Sequence, residues 1–246
     1  MTHRTFLQLT NDLAVEAGVS GNASAVSATT GQTGEAARLV KWVKDAHTEI
    51  QNKHAQWKWM RSQFTVNTVA GDDSYAPTDC TDSVSSVPIA RFKRWWPFDD
   101  DGRINVKRYL TSGGVGGEGF MNYLPWPYFR SIYRLGTQNN GPVTNFTIDP
   151  QNNLVLGPKP DGIYTISGEY QKSALIFSAD GDLAEFTGSM NVEDFDNLIV
   201  YTAMQKYGAF HAAQEVWDRG NIEGGRLMRQ LEQDQLPEIG LAPPLA

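Results

Sequence analysis

The stretch from Phe195 to Trp217 limits most what this chain can fold into, because Leu198, Ile199, Val200, Tyr201, Ala203, Met204, Tyr207 and Phe210 leave it apolar on most sides. Asn191 stands where a helix N-cap belongs, and Glu193 and Asp194 put negative charge in the first turn, where the helix dipole favours it. A helix with more than one apolar face cannot be satisfied by a single partner. Other helices of the chain, or neighbouring copies, must cover it.

Two covering segments lie near the start. Phe6, Leu9, Leu13 and Ala17 recur at helical spacing and stop at Gly18. Ala36, Leu39, Val40, Val43, Ala46 and Ile50 form a second stripe that runs to about His54, with Lys41, Lys44, Glu49 and Lys53 mostly opposite it. Between them, Val19 to Gly34 is nearly all Ser, Ala, Thr, Gly, Asn and Gln, which reads as a loop or flexible arm. At the other end, Gly220-Asn221 is expected to break the long helix, and a shorter helix carrying Ile222, Leu227, Met228 and Leu231 to follow it.

The middle of the chain obeys a different period. Beyond Trp57, Trp59 and Met60, the residues Phe64, Val66 and Thr68 alternate with polar ones, as in a half-buried strand. From there to Gln171 the sequence is rich in Gly, Pro, aromatic and β-branched residues, with turn signals at Gly71-Asp72-Asp73, Asp101-Gly102, Asn140-Gly141 and Asp161-Gly162. Three alternating runs between Phe146 and Tyr170, separated by turn clusters, read as a β-meander. The expected fold is α+β, a helical bundle built from the N- and C-terminal segments with a large central β-rich insertion. Residues 1–62 hold the N-terminal helices with a flexible loop at 19–34, and residues 63–175 the insertion. Residues 190–235 hold the C-terminal helices of the same helical domain, and residues 236–246 an extended tail.

Motifs that would carry chemistry fail in context. Gly114, Gly116 and Gly119 match a dinucleotide fingerprint, but the prolines and aromatics that follow do not open a long helix, so a mobile loop is the reading. Asp99-Asp100-Asp101-Gly102 lacks the Glu of a calcium loop, since position 108 is Arg108, and reads as a tight acidic turn. Cys80 is the single cysteine, flanked by Asp79 and Asp82, so neither an intrachain disulfide nor a thiolate nucleophile is expected. His3, His47, His54 and His211 form no ligand pair on one helix turn. No catalytic residue, cofactor or metal is assigned. No apolar run approaches the roughly 18 residues of a membrane span, and the first residues lack a signal-peptide layout, so a soluble protein is expected.

Charge is uneven. The chain carries a net −7, yet residues 91–134 hold eight basic residues against four acids, interleaved with aromatics. Arg91, Arg94, Trp95, Trp96, Trp126, Tyr128 and Arg130 are the candidate partner-binding residues there. Three readings stay open for the stretch: a subunit interface with local core, core alone, or a nucleic-acid or glycan site in which aromatics stack on the ligand.

The order of these segments resembles the head-to-tail adaptor (connector, or neck) proteins of tailed bacteriophages. The residues that carry the resemblance begin with Thr33-Gly34-Glu35-Ala36-Ala37-Arg38-Leu39-Val40 leading to Trp57-Lys58-Trp59. They continue with Leu154-Val155-Leu156-Gly157-Pro158-Lys159-Pro160, Tyr164 and Gly168-Glu169-Tyr170, and end with Leu198-Ile199-Val200-Tyr201 and Lys206-Tyr207-Gly208. The resemblance implies a cofactor-free, non-enzymatic virion protein made in the host cytoplasm and placed at the neck. It implies a closed homo-oligomeric ring, a dodecamer, that docks on the portal and meets a tail, tail-tube or nozzle protein. DNA would pass through the lumen without specific binding. In that setting Leu236, Ile239, Leu241 and Leu245 are candidate portal-binding anchors, the alternative being a disordered end. The rival readings are another phage neck or tail subunit, and a carbohydrate- or nucleic-acid-binding module built on residues 91–134.

Overall fold

Thr5 starts the first helix with a reciprocal cap: its hydroxyl accepts from the Gln8 amide at 3.2 Å while its own amide donates to the Gln8 side chain at 2.8 Å. The structure, a computed structural model, describes residues 2–19 and 26–237. Helices α1 (Phe6–Glu16) and α2 (Gly34–Lys53) precede a β-rich stretch that carries one short helix, α3 (Trp126–Tyr133). Helices α4 (Val192–His211) and α5 (Gln214–Gln235) follow it. The fold is α+β, with terminal helices around a central β-rich region. The chain divides into a helical unit, Met1–Trp59 with Ala174–Ala246, and a β unit, Met60–Ser173. No described helix is long and apolar enough to cross a membrane.

In the helical unit α4 is central and packs against α1, α2 and α5. Its buried residues Phe195, Leu198, Ile199, Ala203 and Met204 occupy more than one face, as the apolar stretch required. The start of α4 is fixed twice. Asn191 accepts from the Asp194 amide at 2.8 Å, and the buried Asp196 carboxylate accepts from the His3 ring at 2.8 Å and the Arg4 amide at 2.7 Å. Of the loop before α2, residues 20–25 lie outside the described residues. Val26 is held by both polar atoms of the Asn11 amide, and Thr29 by Asp180.

The expected break at Gly220-Asn221 does not occur. The long helix ends at Ala212, which takes a left-handed conformation (φ 52°), and α5 then runs unbroken through Gly220. The reason is close packing. A Cβ on Gly220 would stand 2.8 Å from the Tyr201 carbonyl oxygen, and one on Gly208 would stand 2.7 Å from the backbone nitrogen of Trp217. These glycines let the backbones of α4 and α5 approach, and they have negative φ.

The β unit contains short strands: β1 (Arg61–Asn67), β2 (Ser74–Tyr75), β3 (Thr81–Asp82), β4 (Arg94–Trp96), β5 (Lys107–Leu110) and β6 (Gly119–Phe120). There follow β7 (Asn122–Tyr123), β8 (Asn140–Gly141), β9 (Asn145–Ile148), β10 (Leu154–Gly157), β11 (Lys159–Pro160) and β12 (Tyr164–Gln171). One sheet has the order β3-β1-β12-β5-β6, with β4 also on β12, and a second has the order β2-β10-β9-β7. The longest ladder is β1 with β12, antiparallel from Arg61 opposite Gln171 to Asn67 opposite Thr165. The expected meander holds only for its first two runs, β9 and β10, which form a hairpin. The third run, β12, joins the other sheet, and between them Pro158 and Pro160 have no N–H to donate to a continuing ladder. Phe64, Trp95, Phe146, Leu156, Ile166 and Tyr170 belong to the core of this unit.

Gly220→Ala should destabilise the protein by about 1–3 kcal/mol in urea denaturation, although alanine is the better helix former, because the added methyl has no room against α4. A neutral or stabilising effect would show that the α4–α5 approach is looser than the geometry indicates.

Candidate functional site

The aromatic and basic stretch separates into an inward and an outward part. Strand β4 pairs with β12, Arg94 opposite Gln171 and Trp96 opposite Glu169, so alternation sends Trp95 to one face and Arg94 and Trp96 to the other. Trp95 is 5% exposed, with its ring 4.7 Å from Phe64 and its indole N–H donating to the Asn152 carbonyl at 2.8 Å. A ring held in this way cannot stack on a ligand. Two guanidiniums stand over the Trp96 ring, Arg61 at 4.2 Å and Arg94 at 4.4 Å from its centre. Arg61 also makes a two-pronged contact with Asp100, at 2.6 and 3.1 Å. Burial, and secondarily the charge of Arg61, pushes the Arg94 pKa down, and the Arg94 Nε donates to Gln171 at 2.9 Å. Arg91 donates to the Ser173 carbonyl at 3.2 Å.

Trp126, Tyr128 and Arg130 sit on α3, where the surroundings are the reverse. Proline at the helix start fits positions whose N–H groups have no partner in the helix. Phe129 and Tyr133, at i and i+4, press on Gly157 of β10, where a Cβ would come within 2.8 Å of both rings. Asn145 donates to the Tyr133 hydroxyl at 2.7 Å, and Arg134 reaches Asp73 at 3.4 Å. With α3 fixed on that side, Tyr128 and Ile132, at i and i+4, remain exposed at 58% and 40%, and so does Leu135 just beyond the helix, at 66%. Trp126 is half-buried, and Arg130 is exposed on another flank of the helix. The stretch thus brings Arg94 and Trp96 together, keeps Trp95 inside, and presents Tyr128 with two apolar residues that sequence reasoning missed. The i, i+4 spacing of Tyr128 and Ile132 was the available signal.

The helical unit has a second feature that the sequence reading did not single out. Between α2 and α5, over α4, lies a groove of about 500 Å³ lined by Ile50, Asn52, Gln205, Gly224, Gly225 and Met228 among others. Lys53 and His54 at the end of α2 both reach Glu232 of α5, at 3.1 and 2.9 Å. Burial works against the charged form of Glu232, but the hydrogen bonds from His54 and Lys53 outweigh it and hold the carboxyl below its ordinary value. Glu35, bonded by His211 and Arg38, is held down in the same way against its own burial.

Of the tail anchors, Leu236 is half-buried and its amide donates to the Glu232 carbonyl at 3.0 Å, while Ile239, Leu241 and Leu245 lie outside the described residues. Cys80 is 1% exposed, and burial, with Asp79 nearby, pushes its thiol up to about 12. Asp99 closes the acidic turn by accepting from the amides of Asp101 and Arg103, at 3.0 and 2.7 Å. The glycine-rich run at 114–119 forms a short 3-10 turn and the start of a two-residue strand, followed by the strand β7 and not directly by a helix.

Two outcomes follow. Trp95→Ala should destabilise the β unit by about 3–5 kcal/mol, whereas Tyr128→Ala should change stability by less than about 0.5 kcal/mol, both read from urea midpoints. Because Glu232 and Glu35 have depressed folded-state pKa values, their contribution is complete above the ordinary glutamate value of 4.5 and is lost as pH falls through the lowered values. Between about pH 6 and about pH 3, Glu232→Gln should therefore lose less thermal stability than the wild type; an equal loss would mean that the link contributes nothing.

Comparison with known proteins gives one family. The family model described as SU10 adaptor protein matches residues 4–240. No curated protein matches the chain.

Proposed function

The chain belongs to the SU10 adaptor protein family, a family of phage head-to-tail adaptors, and from that premise we propose that its copies close into a ring between portal and tail. The carrying observation is the exposure of Tyr128 and Ile132 on α3 and of Leu135 just past its end. In one copy these residues stay exposed, although a neighbouring side of the same helix is fastened by Phe129 and Tyr133. Apolar surface presented on a fixed helix is what a subunit contact uses.

The role is mechanical and needs neither cofactor nor catalytic group. A ring of about twelve copies docks on the portal and receives a tail, tail-tube or nozzle protein on its other side, at the virion neck. Leu236 and the residues Ile239, Leu241 and Leu245 beyond it grip the portal. DNA crosses the lumen without specific contacts, a passage favoured by an acidic wall: the helical unit holds 10 basic against 17 acidic residues, and the β unit holds 11 of each. The internal uses of Arg91, Arg94, Trp95 and Trp96 favour this reading over a nucleic-acid or glycan module.

Light scattering of the purified chain mixed with its phage's portal should give a complex of ring mass. Deleting residues 238–246 should abolish portal binding and leave the circular dichroism spectrum unchanged. If no ring or portal complex forms under any condition, the proposal fails.

A further inference from the structure

Asn140-Gly141 is the one Asn-Gly pair in the sequence. An asparagine amide followed by glycine meets no side chain at the next residue, so the next backbone nitrogen can approach its carbonyl carbon. Asn140 is also exposed, and its amide has no hydrogen-bond partner among the described residues. Other asparagines lack one condition or the other. Asn145 is held by Tyr133, Asn153 by Asp149 and Asn197 by Arg4, while Asn105, Asn122 and Asn221 precede the bulky Val106, Tyr123 and Ile222. Gly71 leaves the Asn140 amide room, since even a Cβ built there would stand 3.6 Å from its Nδ2. The backbone at this place is weakly held: β8 consists of Asn140 and Gly141 alone, and it pairs with β11 over two residue pairs in a sheet of two strands. A pairing of that size opens locally at low cost.

We infer that Asn140 is a site of spontaneous modification, deamidating through a cyclic imide to aspartate and isoaspartate. When β8 opens, the Gly141 backbone nitrogen bonds to Cγ of Asn140 and gives up its proton to solvent. The Cγ–Nδ2 bond breaks, and that nitrogen leaves as ammonia. Water then opens the ring at either carbonyl. Breaking the new bond to Cγ gives aspartate; breaking the bond to the main-chain carbonyl carbon gives isoaspartate, with the chain routed through Cβ. One water is consumed and one ammonia released, with no oxidant or reductant. The acidic product has a partner in place. Lys159 stands directly opposite Asn140 in the β8–β11 register, and no carboxylate reaches it among the described residues. The β unit, with 11 basic and 11 acidic residues, thereby gains one negative charge where a cation already faces it.

The test is mass spectrometry of the full chain, incubated at neutral pH and physiological temperature and then digested. The mass difference between an amide and an acid should accumulate at Asn140 at least tenfold faster than at Asn52, Asn122 or Asn221, and isoaspartyl methyltransferase should label the peptide that contains it. Gly141→Ala separates the chemistry from the fold. A Cβ on Gly141 would stand 3.6 Å from Pro158, an ordinary contact, so the thermal midpoint should hold while the rate at Asn140 falls at least fivefold. If Asn140 stays intact in the folded chain while the excised peptide reacts, the fold protects the residue and the inference is overturned. An unchanged rate in Gly141→Ala overturns the imide route. Asn140→Asp should leave the midpoint of the wild type unchanged and lower that of Lys159→Gln; the same shift in both would remove Lys159 as the partner of the product.

Discussion

The pairing of β1 with β12 is the constraint on which the rest of the β unit depends. It joins the first and last strands of that unit over seven consecutive residue pairs, from Arg61 opposite Gln171 to Asn67 opposite Thr165. The two ends of a segment of more than a hundred residues are thereby brought to adjacent positions, which allows such a segment to interrupt a helical unit. The same strand β12 organises what lies around it. It carries β4 at one end and β5 at the other, and Gly168 opposite Phe64 leaves room for the phenyl ring, where a Cβ would stand at 2.9 Å. The buried Asp82 carboxylate, bonded by Ser62 of β1, Tyr170 of β12 and the amides of Val84 and Ser85, fixes the neighbouring edge. Burial opposes its charge, but these four donors more than offset that and keep it ionised.

In the helical unit the corresponding constraint is the burial of α4. Its apolar residues face α1 and α2 on some sides and α5 on another, and the approach of α5 is set by glycines more than by side-chain interdigitation. Close backbone approach leaves few side chains between α4 and α5, and α2 stands apart from α5 with the groove between them. The link from Lys53 and His54 to Glu232 ties the two rims at one place.

Much of this was legible in the sequence wherever the period of burial is local. The stripes of α1 and α2, the Asn191 cap and the alternation of β1 all follow from residues a few positions apart. The errors arose where a residue's role is set by something distant. Gly220 looked like a helix breaker because a sequence displays the conformational freedom of glycine and hides the Tyr201 carbonyl that excludes a Cβ. The run containing β12 looked like the third strand of a meander because its partner, β1, lies about a hundred residues earlier. Within residues 91–134, composition could not distinguish Trp95, in the core, from Tyr128, in solvent, because both are large aromatics beside arginine. Their difference comes from strand pairing on one side and from the docking of Phe129 and Tyr133 on Gly157 on the other.

The candidate interface has a property that bears on how tightly such a surface could bind. Tyr128 and Ile132 are carried by a helix whose neighbouring flank is pinned by two rings, with a hydrogen bond from Asn145 and the ion pair of Arg134 with Asp73 beside them. Residues presented in this way lose little further freedom on association, whereas the same side chains on a loose loop would have to be ordered at the moment of contact. The groove is likewise preformed, bounded by long helices that are already packed on α4. Burial of apolar area between two ordered surfaces then contributes to association with little offset from ordering entropy. The strength of such a contact is governed by the fit of a few side chains more than by the total area covered.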